Sequence, residues 1–126
     1  MKHSHAIVWM DSKEARIFSF NADDVQSDHI KAHAPHHKVH RGQKAPTDTS
    51  FFQEIAEKVS GTREWLLVGP SGAKQEFVHY VEKHAPAVKK AIVGVEAMDH
   101  PTDGELLAHA RRAFKAIDRM QSNTPG

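Results

Sequence analysis

Cysteine is absent from the chain, which excludes disulfides and thiolate metal centres and fits a reducing compartment. Long apolar runs are absent as well. Nothing approaches the roughly 20 residues of a membrane-spanning helix, and residues 1–5 (Met-Lys-His-Ser-His) lead into no signal-like apolar region. The expected address is therefore cytoplasmic, with no membrane partner. Catalytic signatures are missing too: there is no nucleophile elbow, no Ser–His–Asp order and no glycine-rich dinucleotide fingerprint. Gly69-Pro70-Ser71-Gly72-Ala73-Lys74 fails P-loop spacing, because Ala73 separates Gly72 from Lys74 and Gln75 follows where Ser or Thr is required. No cofactor and no catalytic residue is implied.

What remains is an ordinary soluble composition. The 126 residues fit one domain with one core, 39% are hydrophobic and 26% charged. The net charge is only +1, yet its distribution is uneven. From Lys31 to Lys44 the chain carries Lys31, Lys38, Arg41 and Lys44 together with His33, His36, His37 and His40, and no acid. A second basic set, Arg111, Arg112, Lys115 and Arg119, falls largely on one face of the last expected helix. Basic patches on a near-neutral body suit an RNA-facing surface, the plain alternative being a solvated face.

Hydrophobic periodicity orders the elements. Residues 5–11 and 14–20 read as a β-hairpin about the Asp11-Ser12-Lys13 turn, and 25–33 as a polar edge strand. Residues 34–47 hold Pro35, Pro46 and no apolar period, so they read as a long mobile loop, a length that is usually functional or disordered. Asp48, Thr49 and Ser50 offer caps for a helix bearing Phe51, Phe52, Ile55, Ala56 and Val59, stopped by Gly61. Trp65–Val68 is a buried strand. After the Gly69-Pro70-Ser71-Gly72 turn, Phe77, Tyr80, Val81 and His84 recur at helical spacing, with Lys74 in the first turn of a potential anion site. Pro86 breaks that pattern, and residues 90–95 form the last strand. Thr102 and Glu105 make a capping box before a final helix carrying Leu106, Leu107, Ala110, Ala113, Phe114, Ile117 and Met120 and ending near Arg119 or Met120. Residues 122–126 read as a flexible tail.

This order predicts a single α/β domain: a mixed five-stranded sheet flanked by helices, the first strand beside the fourth, of ribonuclease-H-like architecture. Such a sheet raises a metal-dependent nuclease as an alternative, since Asp11, Glu96 and Asp99 all follow strands. Their plainer role is in turns. Eleven histidines also invite a metal, but His36, His37 and His40 lie in a loop without acids, and no specific metal site is expected.

The opening strand pair, the run Leu66-Leu67-Val68-Gly69-Pro70-Ser71-Gly72-Ala73-Lys74-Gln75-Glu76-Phe77 and the element order together resemble the middle domain of archaeo-eukaryotic class-1 peptide-chain release factors. The likeness is greatest to their small bacterial relatives, often labelled translational machinery proteins. A Gly-Pro-x-x-x-Lys-x-x-Phe segment of that family is matched by Gly69, Pro70, Lys74 and Phe77. The release factors carry a Gly-Gly-Gln tripeptide in a basic loop; here the corresponding residues are Arg41, Gly42 and Gln43, preceded by His40. An arginine where the backbone demands glycine costs about 1–3 kcal/mol, so the resemblance implies a domain that does not terminate translation. It implies instead a non-enzymatic partner of the ribosome or of structured RNA (ribosomal or transfer RNA). The expected contacts are Lys31, Lys38, His40, Arg41, Gly42, Gln43, Lys44, Lys74, Arg111, Arg112, Lys115 and Arg119. A peptidyl-tRNA esterase acting through Gln43, and an interaction module or homodimer formed at the sheet edge or the final helix, stand as alternatives.

Overall fold

The first strand, β1 (His5–Met10), is apolar from Ala6 onward, as a strand covered on both faces must be. It pairs antiparallel with β2 (Glu14–Phe20) and parallel with β4 (Glu64–Gly69). β3 (Val25–Lys31) pairs antiparallel with β2, and β5 (Ile92–Ala97) parallel with β4, so the sheet order is β3-β2-β1-β4-β5. This is the expected ribonuclease-H-like mixed sheet, with the first strand beside the fourth. The computed structural model describes residues 4–21, 24–32, 49–70 and 72–122, with side chains in the last helix as far as residue 116.

Period-2 alternation sends successive side chains of β1 to opposite faces. Ala6, Val8 and Met10 join Trp65 and Leu67 beneath α1 (Thr49–Val59), α2 (Ala73–His84) and the one-turn α3 (Pro86–Lys90). Ile7 and Trp9 join Leu66 and Val68 beneath α4 (Asp103–Ser122), which contributes Leu106, Ala110 and Phe114. The expected stripe on α1 is buried in full, through Phe51, Phe52, Ile55, Ala56 and Val59. α4 continues to Ser122, slightly beyond the expected end.

One expectation needs correcting. Pro86 does not lead directly into a strand; it opens α3 at a first-turn position, where its missing N–H costs nothing and its fixed φ suits a helix. β5 consequently starts at Ile92 and runs to Ala97, with a register shift opposite Trp65 and Leu66.

A close approach explains Gly69. A Cβ built there would lie 2.1 Å from the Met10 carbonyl oxygen, and the backbone sits at φ +157°. The two central strands converge at their C-terminal ends so tightly that only glycine fits.

Candidate nucleic-acid interface

Residues 31–44 begin at one defined corner of the sheet. Lys31 ends β3 opposite Glu14, and the Ala32 amide donates to the Lys13 carbonyl at 2.8 Å. The chain therefore leaves β3 beside the β1–β2 turn, at the C-terminal end of β1. Lys31 and Lys13 are both exposed there. Lys38, His40, Arg41, Gly42, Gln43 and Lys44 lie outside the described residues.

Lys74 shares that end of the sheet but faces inward. It is only 5% exposed, and its Nζ donates to the Gly69 carbonyl at 2.9 Å. The same carbonyl accepts the Met98 amide at 3.0 Å. Lys74 thus ties the start of α2 to the end of β4, its aliphatic stem packed beneath the turn and its ammonium on a backbone oxygen. As placed, it offers no surface charge to a phosphate. From the sequence alone an anion contact and an internal tether read alike, because both need a lysine in the first turn.

Asp11 and Asp99 approach a common partner, His100, but Glu96 does not join them. Asp11 Oδ1 accepts the Lys13 and Glu14 amides at 2.8 and 2.9 Å, a side-chain turn that closes the hairpin. His100 bridges towards Asp11 (3.8 Å) and Asp99 (3.0 Å), whereas Glu96 turns to His109 on α4 at 3.0 Å. No group of three or more His, Cys, Asp or Glu among the described residues is placed to hold a metal ion. The nuclease constellation built from Asp11, Glu96 and Asp99 is therefore not assembled; two of its members take turn or tether roles.

The second basic set lies elsewhere. Arg111, Arg112 and Lys115 are exposed on α4, and the Arg111 guanidinium sits 5.3 Å from the centre of the Phe20 ring. Phe20 packs on Phe114 and on His5, the first residue of β1, which also meets Glu64 at 3.3 Å. β1 spans six residues, roughly 17 Å of rise between its ends. The α4 cations thus stand near the start of β1, and Lys31 stands near its end. Arg119 falls within α4, with its side chain outside the described residues.

Arg16 is a structural residue that sequence reasoning passed over. Its Nη1 donates to Asp103 at 2.7 Å and its Nη2 to the Pro101 carbonyl at 2.8 Å, and its guanidinium lies 4.8 Å from the centre of the Trp9 ring. The Trp9 indole N–H in turn donates to the Asp99 carbonyl at 2.6 Å. Together they fasten the β5–α4 connection to β1 and β2. An arginine alternating with apolar strand residues carries no sign of such a long-range partner. At the start of α4 the expected capping box is present: the Glu105 carboxylate accepts the Thr102 amide at 2.8 Å, and the Thr102 hydroxyl accepts the Glu105 amide at 3.1 Å. Bonds from the Thr102 backbone and side chain hold the Glu105 carboxyl below its ordinary pKa.

With this geometry the domain is a mixed-sheet α/β body carrying a basic connection between β3 and α1. No family model matches the chain, and no curated protein matches it either. Solved structures do. Pelota from Archaeoglobus fulgidus superposes with a TM-score of 0.62 at 15% identity, covering 89% of this chain and 32% of that one. The archaeal translation termination factor aRF1 gives 0.60 at 17% identity, covering 93% and 39%. Saccharomyces cerevisiae Dom34, described as a translation termination-like factor involved in RNA quality control pathways and interacting with Hbs1, gives 0.57 at 9% identity, covering 94% and 37%. The shared property is the fold, and the chain spans about a third of the length of each of these proteins.

Proposed function

We propose that this protein is a non-enzymatic, translation-associated domain that binds the ribosome or structured RNA through residues 31–44, with Arg111, Arg112 and Lys115 adding electrostatic attraction. The observation that carries the reading is the position of the acid-free segment. Lys31 ends β3, and three more Lys or Arg with four His residues are inserted between β3 and α1 of a fold shared with translation termination factors. Lys and Arg contacts to phosphate release counterions and dominate affinity for RNA. Arg41 in place of the family's first glycine argues against peptide release through Gln43. The dispersed acids argue against metal-dependent RNA cleavage.

Lys74 is left out of the proposed contact set because it is buried. The α4 cations and the origin of residues 31–44 lie near opposite ends of β1, so an RNA engaging both must reach across the body rather than dock at one point. The test is co-sedimentation with ribosomes at low salt, followed by crosslinking and mapping of the contact. The reading expects crosslinks from residues 31–44 and loss of co-sedimentation in the Lys38→Ala, Arg41→Ala, Lys44→Ala triple variant. Undiminished co-sedimentation of that variant would refute it.

A further inference from the structure

A cavity of about 320 Å³ opens where the turn after α1 meets α3, at the N-terminal ends of β4 and β5. This is the end of the sheet away from Lys31. Val59 and Val88, both buried, give it apolar wall, and Gly61 (φ +86°) and Thr62 line it beside them. Two exposed cations, Arg63 and Lys90, also line it, and no carboxylate does. Neither cation has an ion-pair partner among the described residues. The nearby acids are engaged elsewhere: Glu57 accepts from Gln53 at 3.2 Å, Glu64 meets His5 at 3.3 Å, and Asp28 meets Lys58 at 3.4 Å.

The ends of two helices oppose an anion here, and the sum decides which effect wins. The C-terminus of a long helix carries about −0.5 of an elementary charge. α1 presents such an end at Val59, and α3, a single turn, presents a weaker one. Arg63 and Lys90 supply two full positive charges, so an excess of about one or more remains, in a recess partly walled by apolar side chains.

We infer that this cavity binds a phosphate group carried on a nucleoside, either a free nucleotide or a nucleotide of an RNA chain. The volume is at the lower end of small-ligand sites, which begin at about 300 Å³, and so accommodates more than a bare phosphate. Arg63 and Lys90 take the phosphate, and Ala87 and Ala91, accessible in the lining over the buried Val59 and Val88, offer apolar surface to the base. The inference uses none of residues 31–44 and stands or falls separately from the function proposed above.

Trp65 is a built-in reporter. It is fully buried, and its indole N–H donates at 3.1 Å to the carbonyl of Val88, a lining residue. The experiment titrates a nucleoside monophosphate, a four-nucleotide single-stranded RNA, inorganic phosphate and an unphosphorylated nucleoside, following backbone amide shifts and tryptophan emission. Shifts are expected at Gly61, Thr62 and Lys90, with affinity at least tenfold weaker in the Arg63→Gln, Lys90→Gln double variant. The Lys38→Ala, Arg41→Ala, Lys44→Ala variant is expected to keep them. Response to the monophosphate assigns a free nucleotide, and response only to the tetranucleotide assigns an RNA chain. Response to neither ligand overturns the inference. So does equal response to the unphosphorylated nucleoside, or a double variant that stays folded by thermal melting and binds within twofold of the parent.

Discussion

Replacing Gly69 with alanine tests the packing of the two central strands. The new methyl would sit 2.1 Å from the Met10 carbonyl oxygen, with the carbonyl carbon at 3.2 Å and the Met10 nitrogen at 3.4 Å. All three are backbone atoms of the neighbouring central strand, so no side chain can swing aside. Relief requires β1 and β4 to separate by an ångström or more, and the register from His5–Glu64 to Trp9–Val68 resists that. Movement would also disturb the Gly69 carbonyl, which accepts both Lys74 Nζ and the Met98 amide. Overpacking costs about 1–3 kcal/mol, and a side chain forced into a glycine-favouring conformation costs a further 1–3 kcal/mol or so. A loss of about 2–6 kcal/mol is expected, against the 5–15 kcal/mol typical of a whole domain. Urea denaturation measures it as a fall in midpoint. Gly104→Ala is the internal contrast, because nothing lies within 4 Å of its added methyl and it sits in the first turn of α4. That change is expected to be stabilising by about 0.4–1 kcal/mol. A Gly69→Ala loss below about 1 kcal/mol would refute the claim that the convergence of β1 and β4 demands glycine.

Two further outcomes follow from the same geometry. Lys74→Met keeps the buried stem and removes the ammonium, so RNA affinity is expected to stay within twofold of the parent while stability changes through loss of the bond to Gly69; a tenfold loss of affinity would show that Lys74 reaches the RNA. Thr102→Ala removes the cap of α4 and is expected to cost about 1 kcal/mol. The Glu105 carboxyl is held low by its Thr102 bonds, so its contribution is present above the unfolded carboxyl pKa and is lost as pH falls through the folded one. Denaturation midpoints measured from pH 7 down to pH 3 should therefore fall less steeply in Glu105→Gln than in the parent.

The fold was largely legible because its main signals are local. Continuous apolar runs marked β1 and β4, a 3.6-residue stripe marked α1, and the Thr102–Glu105 spacing marked the start of α4. β3 read as polar edge strand from its own composition, and it is indeed at the sheet edge; it exposes Val25, and the opposite edge, β5, exposes Val93 and Val95. Pro86 does end the α2 pattern, but α3 was missed because a proline that stops one helix and a proline that opens the next look alike without knowing which amides are needed. The site was less legible, since charge in a sequence carries no direction. Arg111, Arg112 and Lys115 are exposed as expected, while Lys74, in an equally polar context, turns inward to a carbonyl. Arg16 and Trp9 find partners more than eighty residues away, which no local pattern encodes.

The central claim is that cations of residues 31–44 contact RNA phosphates, and the salt dependence of binding tests it most directly. Binding to a structured RNA is measured across a range of salt concentrations for the parent and for the Lys38→Ala, Arg41→Ala, Lys44→Ala variant. Each lost phosphate contact lowers the slope of log affinity against log salt by about 0.7–0.9. The account expects the slope to flatten by about 2 to 3, with at least a tenfold loss of affinity at low salt. An unchanged slope and affinity would contradict it.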